Sequence, residues 1–167
     1  MLLMLGKFVC LVGSYLGGLV AGVFLHELGH AFVALLATRQ RVEVEIGSAG
    51  KRGTCRLGRL SLVVRSGGLR YGATRYERAA ESRGTQAAVA AGGPLASLLA
   101  LGSFLGLMVT SVVGSWLWIV ALGLAVANFR ILIVAVWPIA YRPEGEGGEL
   151  WLSDGLDLWR LLTKKRD

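Results

Sequence analysis

Long blocks of uncharged, apolar residues constrain this 167-residue chain more than any other feature. Phe8 to Leu25 is an 18-residue stretch without a charge, Gln86 to Trp118 has none either, and only Arg130 interrupts the run from there to Pro138. A helix of about 18 or more apolar residues can cross a hydrocarbon core about 30 Å thick. The apolar residues, 54% of the chain, fall in blocks rather than in alternating or amphipathic patterns. That distribution excludes an ordinary soluble enzyme and a disordered chain. With Cys10 and Cys55 as the only cysteines, it is not a disulfide-stapled secreted domain either.

Three membrane spans are expected, at about 8–37, 87–113 and 116–137. Thirty helical residues would be roughly 45 Å long, so the first span must tilt, kink or extend beyond the membrane. It is expected to be retained rather than cleaved as a signal peptide, because its apolar run is too long and no small-residue cleavage site follows. Gly13/Gly17 and Gly18/Gly22 are small-xxx-small pairs that let another helix approach. Trp116, Trp118 and Trp137 mark the ends of the third span as an interfacial belt would.

The charge sits between the first two spans. Residues 38–86 carry eleven Arg or Lys against four Glu, which accounts for the whole net charge of +7. Short loops rich in Lys and Arg stay in the cytoplasm, so span one is expected to run from outside to inside and the C-terminus to be cytoplasmic. Tyr71 and Tyr76 among Arg70, Arg75 and Arg78 raise a nucleic-acid alternative. A loop between two spans already explains the charge, and no nucleic-acid partner is expected. The expected location is a bacterial plasma membrane.

Within the basic loop, Val42, Val44 and Ile46 alternate with charged residues, and Leu60, Leu62 and Val64 repeat the period. A small β-hairpin against the membrane surface is predicted over residues 41–65, with residues 75–86 leading helically into span two. Arg142 to Glu149 is an acidic, Gly-rich loop that matches no phosphate-binding fingerprint. Ser153 to Thr163 reads as a short amphipathic helix before the basic Lys164-Lys165-Arg166. The predicted fold class is therefore an all-α polytopic membrane protein of three transmembrane helices, with a β-hairpin insertion and a short C-terminal amphipathic helix. One membrane-embedded domain, residues 1–167, is expected, with loops at 38–86 and 138–167.

The two histidines of the chain are four residues apart, in His26-Glu27-Leu28-Gly29-His30. On a helix, positions i and i+4 share a face, so both imidazoles can bind one zinc ion. Glu27 stands beside that ion, where it can take a proton from a zinc-activated water and pass it to a leaving amine. This is the HExxH pattern of zinc peptidases. The plain alternative is a pair of core histidines with a stray carboxylate. Burying Glu at mid-span costs on the order of 3 kcal/mol, however, and such residues usually mark function. A catalytic zinc takes a third protein ligand and leaves a position open. Cys10 lies more than four turns upstream and Cys55 in the basic loop, which leaves the carboxylates Asp154, Asp157, Glu144, Glu146 and Glu149. The alternative for Asp154 and Asp157 is a capping pair opening the last helix, with Ser153 as the cap itself and Asp157 a first-turn acid favoured by the helix dipole. Asn128 and Arg130 are the other polar intrusions in span three. Arg130 could bind a substrate carboxylate or compensate Glu27, but snorkelling to the cytoplasmic face is the favoured reading.

These motifs taken together resemble the site-2 protease family of intramembrane zinc metallopeptidases, in a minimal three-span form. In that family HExxH lies on a membrane helix and an Asp-Gly pair in a later segment supplies the third ligand. Leu152-Ser153-Asp154-Gly155-Leu156 is similar, so the resemblance gives Asp154 the ligand role. Ala91-Gly92-Gly93-Pro94-Leu95-Ala96-Ser97 resembles the stretch that lines the family's site, which implies site-lining roles for Gly93, Pro94 and Ser97. The family usually has Asn where Ser97 stands, and an Asn-x-x-Pro turn where this chain has Ala135-Val136-Trp137-Pro138.

The resemblance implies hydrolysis of peptide bonds in a membrane protein or membrane-bound peptide, with one zinc ion on His26, His30 and Asp154 and Glu27 as general base. The strands of the basic loop would hold an unwound substrate by edge addition. Two rivals stand beside it: a non-catalytic zinc-binding membrane subunit, and a structural or adaptor membrane protein with a fortuitous motif. An oligomer or a partner subunit is compatible with each.

Overall fold

Three helices carry the apolar blocks: α1 (Leu2–Ala37), α2 (Arg83–Thr110) and α3 (Trp116–Val136). All three are long and apolar enough to cross a membrane. The computed structural model describes residues 1–141 and 151–163. The acidic loop with Glu144, Glu146 and Glu149 and the basic Lys164–Arg166 segment lie outside the described residues. Helix α1 starts six residues before the expected span, and α2 starts and ends a few residues early. Ser82 and Ser115 set the starts of α2 and α3, their hydroxyls accepting from the N–H of Thr85 and Trp118 at 3.1 and 3.2 Å. The segment before α2 is a single 3₁₀ turn, Arg78–Ala80, rather than a continuous helical lead.

Glycines decide where the helices meet. Helices α1 and α2 cross at Gly29 and Gly92, where a Cβ on Gly29 would overlap the Gly92 carbonyl oxygen and one on Gly92 would lie 2.6 Å from the Gly29 oxygen. Gly18 and Gly22 receive α3, with Ala127 and Ile131 filling the space a Cβ would need. Gly13 and Gly17 have nothing within 4 Å of that position, so among the described residues only the second of the two small-residue pairs receives a helix. Asn128 is buried against Gly22 at the α1–α3 contact and donates from Nδ2 to the Leu124 carbonyl at 3.0 Å.

The predicted hairpin is instead a four-stranded sheet, and the chain is helical with a small sheet rather than all-α. Strands β1 (Val42–Ile46), β2 (Ala49–Leu57), β3 (Leu60–Gly67) and β4 (Gly72–Arg75) lie in the order β2-β3-β1-β4. Only β2 and β3 form a hairpin, turning at Gly58 with φ +60°. β1 pairs parallel with β3, from Val42 opposite Leu60 to Ile46 opposite Val64, and β4 closes the other side antiparallel, Val44 opposite Thr74. Two faces of β1 explain the arrangement. Val42, Val44 and Ile46 pack on Ala31 and Ala34 of α1, forming the core beneath the sheet. On the outer face Glu45 pairs with Arg65 at 2.5 Å and Arg75 at 3.3 Å, drawing β3 and β4 to either side. Arg59 ties the sheet to the end of α1 by donating to the Leu35 and Thr38 carbonyls at 2.7 and 2.6 Å.

After α3 the chain forms a two-residue strand β5 (Ala140–Tyr141) paired with β6 (Trp151–Leu152), then α4 (Asp154–Thr163). Ser153 is the pivot. Its Oγ donates to the Trp137 carbonyl at 2.6 Å and accepts from Leu156 N–H at 3.3 Å, so it caps α4 while holding it to the end of α3. Gly155 fits because a Cβ there would overlap the Val136 carbonyl.

Candidate metal centre

One turn of α1 presents His26 and His30 on the face turned toward α2, and both are buried. The ring nitrogens of the two residues are separated by function. His30 Nδ1 donates to the Val89 carbonyl of α2 at 2.6 Å, since a carbonyl only accepts. His26 Nδ1 meets the hydroxyl of Ser97, a fully buried residue of the same helix, at 2.9 Å. Each outer contact fixes its ring and leaves Nε2 facing inward, the arrangement that supports metal-ligating histidines. The two Nε2 atoms are 3.2 Å apart.

Asp154 completes the group from the first turn of α4. Its Oδ2 lies 3.0 Å from His26 Nε2 and its Oδ1 3.3 Å from His30 Nε2. Burial pushes the carboxyl up, but hydrogen bonds from His26 and His30 outweigh it and hold it at about 2. Ser153, not Asp154, serves as the helix cap, which leaves the Asp154 side chain for the cluster. Asp157 turns elsewhere and pairs with Arg78 at 2.7 Å. Among the described residues, His26, His30 and Asp154 are the group of side chains whose ligand atoms, all within 4.8 Å of one another, could hold a metal ion. Tetrahedral zinc with bonds of about 2.1 Å separates its ligand atoms by roughly 3.4 Å. The two Nε2 atoms, 3.2 Å apart, each with a different Asp154 oxygen at 3.0 or 3.3 Å, are spaced close to that value. Neither cysteine joins the group, and both are free thiols.

Gly93 stands against both imidazoles. A Cβ there would overlap His30 Nε2 and lie 2.7 Å from His26 Nε2, so only glycine leaves room at the centre. Pro94 follows inside α2 and supplies no N–H to the Ala90 carbonyl. The residues named by sequence thus gather at one place: His26, Glu27, His30, Asp154, Gly93 and Ser97, with Pro94 in the adjoining turn.

Two contributors are not legible in the sequence. Thr74 of β4 donates to the Glu27 carboxylate at 2.7 Å, and its hydroxyl also lies 3.0 Å from the Glu27 carbonyl. Gly72 lies so close that a Cβ would sit 2.5 Å from Glu27 Cγ. Strand β4 is therefore the part of the sheet that touches the site. His26, His30 and Asp154 line one cavity of about 940 Å³ with Glu27 and β4, together with α3 and β6 residues such as Ile131, Val134 and Trp151.

Comparison with known proteins adds one finding. No curated relative matches the chain. Residues 8–139, which take in most of α1, all of α2 and α3 and the four-stranded sheet, match the family described as Peptidase M50B-like. Asp154 lies beyond the matched residues, so its membership of the cluster rests on the geometry above. By its HExxH helix, its Gly-Pro helix and this match over most of its length, the chain belongs to the Peptidase M50B-like family, a site-2 protease family.

Proposed function

We propose that this chain is an intramembrane zinc metalloprotease that hydrolyses peptide bonds of membrane-associated substrates. The observation that carries the reading is the convergence of His26, His30 and Asp154 beside Glu27 in a single cavity between membrane-length helices. His26 and His30 through Nε2, and Asp154 through its carboxylate, would hold one zinc ion. That ion would supply Lewis acidity, polarising a scissile carbonyl and lowering the pKa of water toward neutrality. Glu27 then takes the proton of the attacking water and delivers it to the departing amine nitrogen. Thr74 holds one oxygen of Glu27 and leaves the other for that exchange.

A helical substrate hides its amide in its own hydrogen bonds and must be extended before attack. Strand β4 is suited to hold such an extended segment, since it pairs with β1 on one side only and its Gly72 and Thr74 touch Glu27. A substrate strand added along this margin would be bound through its backbone, next to the base. The basic sheet and α4 would face the cytoplasm of a bacterial cell by the distribution of Lys and Arg.

Glu27→Gln tests the reading. In detergent-purified protein it should retain zinc at one ion per chain while cleavage falls by about 100-fold or more. Equal behaviour of the two proteins towards membrane substrates, with zinc bound in both, would favour the non-catalytic zinc-binding subunit.

A further inference from the structure

The cavity that contains the metal cluster is also lined by four arginines, Arg70, Arg75, Arg78 and Arg130. Two are paired, Arg75 with Glu45 at 3.3 Å, which Arg65 shares, and Arg78 with Asp157 at 2.7 Å. Arg70 and Arg130 have no ion-pair or hydrogen-bond partner among the described residues. The cavity's acids are all engaged: Glu27 by Thr74, Asp154 by the imidazoles and Asp157 by Arg78. Arg130 therefore does not compensate Glu27.

Arg130 stands six residues before the end of α3, about 9 Å along the helix axis, and is the one charged residue of that span. A cation so placed is costly, and those that persist line cavities or pathways. Arg130 and Arg70 are both exposed and both line the cavity whose walls include Leu19, Val89 and Ile131, so their guanidinium groups are open to an incoming anion. A guanidinium suits a carboxylate in particular, by two parallel hydrogen bonds.

We propose that Arg130, assisted by Arg70, forms an anion subsite that receives an Asp or Glu side chain of the substrate close to the scissile bond. The proposal rests on the protease reading and deepens it: the substrate class is an apolar segment flanked by acidic residues. An anionic lipid headgroup has the same charge, but the subsite opens into the cavity bounded by β4 and Glu27, where a peptide must lie to be cut.

Two fluorescein-labelled peptides test this, each with the same apolar core, one flanked on both sides by Asp and the other by Asn. Binding to the full chain carrying Glu27→Gln is read by anisotropy in neutral-lipid nanodiscs. The Asp peptide should bind about tenfold more tightly, and adding Arg130→Gln should reduce that preference to less than about threefold. Arg130→Lys should restore part of it, which separates lost charge from a misfolded helix. Equal affinity for the two peptides, or a preference unchanged by Arg130→Gln and Arg70→Gln together, overturns the proposal. It is also overturned if phosphatidylglycerol in the nanodiscs displaces the Asp peptide in an Arg130-dependent way, for then the site belongs to lipid. Incubating both peptides with the chain that retains Glu27 separates the two readings. An Arg130-dependent preference in binding without cleavage leaves the subsite standing and removes the protease, whereas cleavage without preference does the reverse.

Discussion

The hydroxyl of Ser97 lies 2.9 Å from Nδ1 of His26, a contact between α2 and α1 made by two side chains 71 positions apart. Outer partners of this kind orient the ligand ring, and their loss typically lowers metal affinity by about 10–100-fold. Ser97→Ala should weaken zinc binding within that range, measured by competition with a chelator. Ser97→Thr, which keeps the hydroxyl, should stay closer to the parent protein.

Gly93→Ala separates helix stability from metal binding. Alanine favours a helix interior over glycine by up to about 1 kcal/mol, so α2 should persist, as read by circular dichroism. The new methyl group would occupy the space between the two imidazoles. Most of the zinc and the cleavage activity should be lost from a protein of unchanged helix content.

The two acids of α4 should behave differently. Asp154→Asn removes a proposed ligand, and zinc affinity should drop by more than the roughly 100-fold of an outer partner. Asp157→Asn breaks only the pair with Arg78. Partly exposed pairs of this sort contribute about 0.2–1 kcal/mol, so zinc affinity should fall by no more than about fivefold. Zinc titration of both variants checks the assignment; a larger loss with Asp157→Asn would exchange their roles.

Arg78 and Arg83 hold α4 to the start of α2. Arg78 is itself steadied by Gln86 at 2.9 Å, and Arg83 donates to the Leu161 carbonyl at 2.5 Å. If these contacts keep Asp154 in place, Arg78→Ala and Asp157→Asn should be non-additive in a double-mutant cycle of zinc affinity. Additive effects would show that the pair does not act as a unit.

The parts of the fold legible in the sequence are those set by local composition. Uncharged blocks define three spans, and HExxH spacing puts two imidazoles on one helix face. Ser153 to Thr163 announces α4 by its amphipathic period. What escapes depends on partners distant in sequence. Gly72-Ala73-Thr74-Arg75 has no apolar alternation and becomes a strand because β1 offers it an edge and Glu45 a counter-charge for Arg75. The parallel β1–β3 pair cannot be told from a hairpin by period-2 patterning, which reports a face and not a neighbour. Gly29 and Gly92 are unremarkable within their own helices, and their meaning lies in the crossing that joins them. Asp154 is named by resemblance alone; Ser153 taking the cap explains physically why its carboxylate can turn to the histidines.

X-ray absorption at the zinc edge of detergent-purified protein tests the metal centre most directly. Two imidazole nitrogens at about 2.0–2.1 Å and a carboxylate oxygen at about 2.0–2.2 Å are expected, with the oxygen contribution reduced in Asp154→Asn. Protein that carries no stoichiometric zinc, or a spectrum dominated by sulfur at about 2.3 Å, would contradict it.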